Sequence, residues 1–172
     1  MKVPYRPKTL ARMKMHFRFV ILHDVSCQFE HMTEFYKDTP KFQTGKLRAY
    51  DFILNSRSDL NYHFIVEKVN DDYESIVGRP LSSECDYPDI SSPFDKSIHV
   101  CLMGNYSVET PTQRFYQQLA YRVVGPILKV FHMNFDRIKF HSEVSKDYPN
   151  CPGKLFSKDV FVSLLKSMLI TK

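Results

Sequence analysis

Apolar positions along the chain come in short blocks, and their periodicity predicts a series of compact elements. Residues 17–22 (FRFVIL) are aromatic and β-branched, which predicts a buried strand ending directly in His23. Residues 62–69 (YHFIVEKV) read as a second strand. The polar Asn70-Asp71-Asp72 then predicts a turn, and residues 73–77 its hairpin partner. Residues 98–103 (IHVCLM) predict another buried strand, and 138–140 (IKF) a short one leading into His141. Helical spacing is weaker over 27–37 and 46–54. It is clear for Phe115, Leu119, Val123, Ile127 and Val130, which follow a Thr110-Pro111 helix start. Gly125-Pro126 falls inside that helix and predicts a kink or break, because proline lacks an N–H and clashes one turn back. A last helix, capped by Ser157, carries Val160, Phe161, Leu164, Leu165, Met168 and Leu169 as one apolar stripe. Strands alternating with helices place the chain in the α/β or α+β class with a central sheet.

Length and composition narrow this to one domain. At 172 residues, 43% hydrophobic and 25% charged, the chain is long enough to bury a core and too apolar to be wholly disordered. Residues 1–16 read as a basic, proline-punctuated arm and 17–172 as the domain. The excess of 24 Lys+Arg over 19 Asp+Glu gives +5, which suits an anionic partner: nucleic acid, a membrane surface or a bacterial wall. No nucleic-acid-binding motif accompanies the charge. The apolar run near the N-terminus, FVIL, is too short for an export signal or a membrane span. Cys27, Cys85, Cys101 and Cys151 show no CxxC spacing. The expectation is therefore a soluble protein made in a reducing cytosol, its cysteines thiols, with Cys27 and Cys101 buried and Cys85 in a loop. Residues 79–97 form a Pro/Ser-rich loop, long enough to suggest a functional role.

Candidate chemistry sits where strands end. His23 and His141 each stand just past a predicted strand, and Cys151 follows in NCPGK. Two imidazoles and a thiolate suit Zn²⁺ with a fourth position open, the arrangement of a catalytic site. No compact ligand pair such as HExxH is present, so spacing alone favours ordinary core or surface roles over a metal site.

Four ordered segments add to this: FVILHDVS; NYHFIVEKV followed by GRP; SIHVCLMGNYSVETPTQRFYQQL; and FHSEVSKDYPNCPGKLF. Together, over about residues 17–165, they make the chain resemble the type-2, zinc-dependent N-acetylmuramoyl-L-alanine amidases. That family includes the T7-type lysozymes and the peptidoglycan recognition proteins. The resemblance implies an α/β fold, a central mixed β-sheet flanked by helices. It implies Zn²⁺ held by His23, His141 and Cys151, with Tyr62 as the tyrosine beside the metal. The implied reaction cuts the amide between N-acetylmuramic acid and L-alanine in peptidoglycan. A bound zinc ion lowers the pKa of water and polarises a carbonyl, while a phenol can hydrogen-bond the developing oxyanion.

The chain also departs from the family pattern. Pro149 stands where many members carry Lys or Thr, and Lys146 is the nearest substitute cation. The loop SSECDYPDISSPFDK lacks the family's frequent His, and His99 replaces a usual Gly inside the following strand, IHVCLM, which also lacks the Glu of acidic-ligand members. Arg79 in GRP is a candidate for a stem-peptide carboxylate or for a structural ion pair. His63, next to Tyr62, is expected on the opposite strand face, packed or exposed. The expected protein is a monomeric phage-type endolysin or virion-associated hydrolase, made in the cytoplasm of the producing cell. It would act on the wall, with peptidoglycan as partner, no nucleic acid and no stable membrane insertion. The alternative is a catalytically impaired module that keeps the cleft and binds muropeptide or a partner protein.

Overall fold

The computed structural model describes residues 16–25, 60–69 and 72–170. The basic arm, the helices expected over 27–37 and 46–54, and Cys27 lie outside the described residues. Five strands form one mixed sheet: β1 (Phe19–Asp24), β2 (Phe64–Val69), β3 (Asp72–Val77), β4 (Ser97–Leu102) and β5 (Ile138–Phe140), in the order β3-β2-β4-β1-β5. β1 runs parallel to both β4 and β5, and β2 runs parallel to β4. Among the described residues only the β2–β3 pair is antiparallel.

The period of two sorts each strand's side chains between two layers. Val20 and Leu22 of β1, Val66 of β2, and Ile98, Val100 and Leu102 of β4 face one way. They pack against Phe115, Leu119, Val123 and Ile127, and against Phe161 and Leu165. Ile21, Ile65 and Cys101 face the other way, where they meet Leu60, Tyr62, Tyr87, Ile90 and Met103. Among the described residues the helical stretches 113–130 and 158–170 cover one face of the sheet, and residues 78–96, with Val144, cover the other. That loop crosses the second face as a layer of its own, fastened by Tyr87 and Ile90.

The central helical stretch starts two residues later than Thr110-Pro111 suggests. Thr112 is the cap, its hydroxyl accepting from the Phe115 N–H at 3.1 Å, and α1 runs Gln113–Gln118. A π-helical segment, Leu119–Val124, then leads into α2 (Gly125–Val130). Proline at the start of α2 cannot donate, and the wide π turn before it makes room for the ring, so the expected break is a bulge. Gly125 sits where a Cβ would collide with Met168 of the last helix and crowd the Ala120 carbonyl. The helix α3 (His141–Val144) follows β5 directly, and α4 (Lys158–Ile170) closes the chain. Two apolar-face assignments fail: Val130 is 68% exposed and Val160 53% exposed, each on the solvent side of its helix.

Candidate metal centre

The parity that sorts the core also aims the chemistry. His23 lies two residues beyond Ile21 in β1 and therefore on the loop-covered face, level with Cys101 in β4. His99, level with Ile21, shares that face. Strand β5 pairs with β1 through Val20↔Ile138 and Leu22↔Phe140, so the residue after β5 emerges beside the end of β1. That residue is His141, the first of α3. Its turn is fixed by the Glu143 carboxylate, which accepts from the Phe140 N–H at 2.6 Å and is itself paired with Lys158 of α4. The Ser142 N–H donates to the Cys151 carbonyl at 3.1 Å, which brings the NCPG turn back against the start of α3. Gly153 holds that turn at φ 108°, a conformation that favours glycine, where a Cβ would strike Tyr106.

His23, His141 and Cys151 consequently meet. One ligand-capable atom from each lies within 4.8 Å of the others, and all three residues are buried. The two rings stand 4.4 Å apart, centroid to centroid. Each imidazole has one nitrogen engaged and one open. The His141 Nε2 is 2.7 Å from the Asp89 Oδ2, and the His23 Nε2 is 2.8 Å from the His99 Nδ1. The two Nδ1 atoms have no hydrogen-bond partner among the described residues. Burial pushes the His23 and His99 imidazoles well below their ordinary range, reinforced by neighbouring histidines. Burial also lowers His141, against the pull of Asp89. Neutral imidazoles with a buried, unused lone pair are what a divalent cation requires, so the donor set fits zinc.

The sulfur differs from expectation. Cys85 and Cys101 are outside any disulfide, Cys101 buried as expected, but Cys151 is disulfide-bonded. Arguing thiols from the compartment says nothing about which sulfurs a fold brings together. A thiolate at Cys151 therefore requires reduction of that bond.

Around the trio stand residues with different fates. Tyr62 is buried beside the cluster, its ring edge-on to His23 at 5.6 Å. Lys146 and Pro149 are exposed in the turn before Cys151, and no described contact joins Lys146 to the trio. The Arg79 guanidinium donates from Nε to the Leu60 carbonyl at 3.0 Å and from Nη1 to the Glu84 carbonyl, so part of it clamps the loop. His63 is packed, not exposed. Its Nδ1 accepts the His99 N–H at 3.0 Å and its Nε2 meets the Ser83 carbonyl at 3.1 Å.

Sequence reading missed two contributors. Tyr87 lies flat against both His23 and His99, with centroid separations of 4.8 and 4.3 Å and interplanar angles of 20° and 14°, and its hydroxyl donates to the Asn61 carbonyl. Asp89 reaches His141 from 52 positions away in sequence. The alternation of IHVCLM was a usable signal that His99 faces the same way as His23. Nothing local marks Asp89 in its Pro/Ser-rich loop.

No protein-family model and no curated protein sequence matches the chain. Solved structures do. The N-acetylmuramoyl-L-alanine amidase LysC from Clostridium intestinale superposes with a TM-score of 0.60 at 17% identity, over 92% of this chain and 88% of that one. AmpD superposes at 0.63 and 18% identity, over 87% and 85%. A mutant of Drosophila PGRP-LB, in complex with tracheal cytotoxin, superposes at 0.58 and 17% identity, over 84% and 82%. The mixed sheet and its helical layer thus have the fold shared by N-acetylmuramoyl-L-alanine amidases and peptidoglycan recognition proteins.

Proposed function

We propose that the chain is a zinc-dependent N-acetylmuramoyl-L-alanine amidase acting on peptidoglycan as a phage-type endolysin. The observation that carries this reading is the pair of buried Nδ1 atoms left open beside Cys151, within a fold that amidases use. His23, His141 and the reduced Cys151 would hold the ion. Zinc there supplies a Lewis acid for the scissile carbonyl and lowers the pKa of water. Tyr62, packed edge-on to His23, would direct its phenol to the oxygen that gains charge. Lys146, exposed, is the cation nearest in sequence to the missing Lys/Thr position, which Pro149 fills. The Arg79 donors not spent on Leu60 and Glu84 are available to a stem-peptide carboxylate. The enzyme would be a monomer, made in the producing cell's cytoplasm, that reaches the wall afterwards.

Two measurements on reduced protein test this together: zinc stoichiometry, and release of stem peptides from purified peptidoglycan. One bound zinc with amide cleavage is the expected result, and His23→Ala should remove both. Protein that takes up no zinc overturns the metal reading. Zinc without cleavage turns the conclusion to the second reading, a muropeptide-binding module. Pro149, the near-complete burial of the trio, and a structural neighbour solved with tracheal cytotoxin favour that reading.

A further inference from the structure

Each histidine of the trio is held from behind by a different residue, and neither holder belongs to the ligand set. The chain of contacts behind His23 can be followed atom by atom. A backbone N–H only donates, so the bond from the His99 N–H makes the His63 Nδ1 an acceptor. The His63 proton must then sit on Nε2, where it donates to the Ser83 carbonyl at 3.1 Å. This fastens the backbone of β4 at His99. Tyr87, lying flat on the His99 ring at 4.3 Å, fastens its plane. The His99 Nδ1 is thereby presented to the His23 Nε2 at 2.8 Å. If His23 were the acceptor in that contact, its own proton would sit on Nδ1, a buried donor with no acceptor among the described residues, which is the costly arrangement. The favoured state has the His23 Nε2 donating and its Nδ1 lone pair open. Behind His141 the logic is shorter. An ionised carboxylate only accepts, so Asp89, at 2.7 Å, takes the proton of the His141 Nε2 and leaves Nδ1 open.

We propose that His99 and Asp89 are positioning residues that lock His23 and His141 in the Nε2-protonated tautomer, so that both imidazoles present Nδ1 to one metal ion. The proposal rests on the metal-binding reading for its purpose, but its geometry stands without metal. It also gives His99 a role: the imidazole in a strand position where a small residue would suffice is the hydrogen-bond acceptor for a ligand.

The test uses the whole chain, reduced, first without metal. Long-range proton–nitrogen NMR correlations report which ring nitrogen carries the proton. Wild type should show Nε2-protonated His23 and His141. Asp89→Ala should leave His141 a mixture of tautomers with His23 unchanged. His99→Ala should do the reverse, and Asp89→Asn and His99→Gln, which keep an acceptor, should restore the bias. Zinc competition against a chromophoric chelator then reads affinity. Each alanine variant should bind about 10–100-fold more weakly, the usual cost of losing an outer-layer partner, and the acceptor-keeping variants should recover most of it. Nδ1-protonated rings in wild type, or tautomers unmoved in the folded alanine variants, overturn the proposal. Expected tautomers in a wild type that binds no zinc would uphold it and refute the amidase reading instead.

Discussion

At the scale of single residues, the side chains around the centre divide by what they can exchange with water. His63 is buried, and burial lowers its imidazole from 6.5 to about 4, despite its bond to the Ser83 carbonyl. Above pH 6.5 the ring is neutral in both folded and unfolded chains and stability is at its plateau. As pH falls from 6.5 toward 4, the unfolded chain takes up a proton that the folded one refuses, and stability is lost, by as much as about 3 kcal/mol. Denaturant midpoints of wild type and His63→Gln across pH 7.5 to 4.5 check this: the wild-type slope in that window should be the steeper. Tyr62 is a different case, because its ring packs edge-on to His23 while its proposed role lies at the hydroxyl. Tyr62→Phe should keep zinc binding and lower turnover on peptidoglycan by about 10²–10³, the range seen when one oxyanion donor is removed. Of the site residues, His23 and His141 were legible because a strand end followed by His is a local pattern. Asp89 was not, because its meaning depends on a loop folding across the sheet.

At the scale of elements, the strands were read more accurately than the helices. A short apolar run rich in β-branched and aromatic residues marks a strand with both faces covered, and β3, β4 and β5 fall within about a residue of their expected places, whereas β1 lies two residues later and takes His23 into the strand. The 113–130 region was harder. An apolar repeat shows that a helix is present, but it does not show whether one turn inside it widens to five-residue spacing. The cap is also a question of which hydroxyl reaches a free N–H, and Thr112 does so where Thr110 was expected. Thr112→Ala should cost about 1 kcal/mol in chemical denaturation, with Thr110→Ala near neutral. The exposed Val130 and Val160 mark the reach of the periodicity argument: a stripe predicts a face, and its outermost members can still lie beyond the contact.

At the scale of the whole molecule, the class and the mixed sheet follow from element order, and the resemblance carried the layer arrangement. The layer that residues 78–96 form on the second face was not legible, because such a segment has no periodic signature. The state of Cys151 is also a whole-molecule property, since a disulfide joins parts of the chain that local sequence does not relate. It yields a sharp expectation: zinc uptake, followed by chelator competition, should be negligible in oxidised protein and stoichiometric after treatment with a phosphine reductant. Equal uptake in both states would remove Cys151 from the ligand set.

The short strand β5 has a consequence for how the domain breathes. Among the described residues it is an edge strand of three residues, paired with β1 alone, yet it delivers His141 and leads into the Cys151 turn. Peripheral pairings of this kind open first and most often, at a fraction of the free energy of global unfolding. An ion gripping His23, His141 and Cys151 would rivet that loose margin to the middle of the sheet, and binding to the closed form alone would suppress its opening by mass action. Amide hydrogen exchange at 138–152 should therefore slow markedly when zinc is added to the reduced protein, while the β2–β4 centre, already closed, should change little.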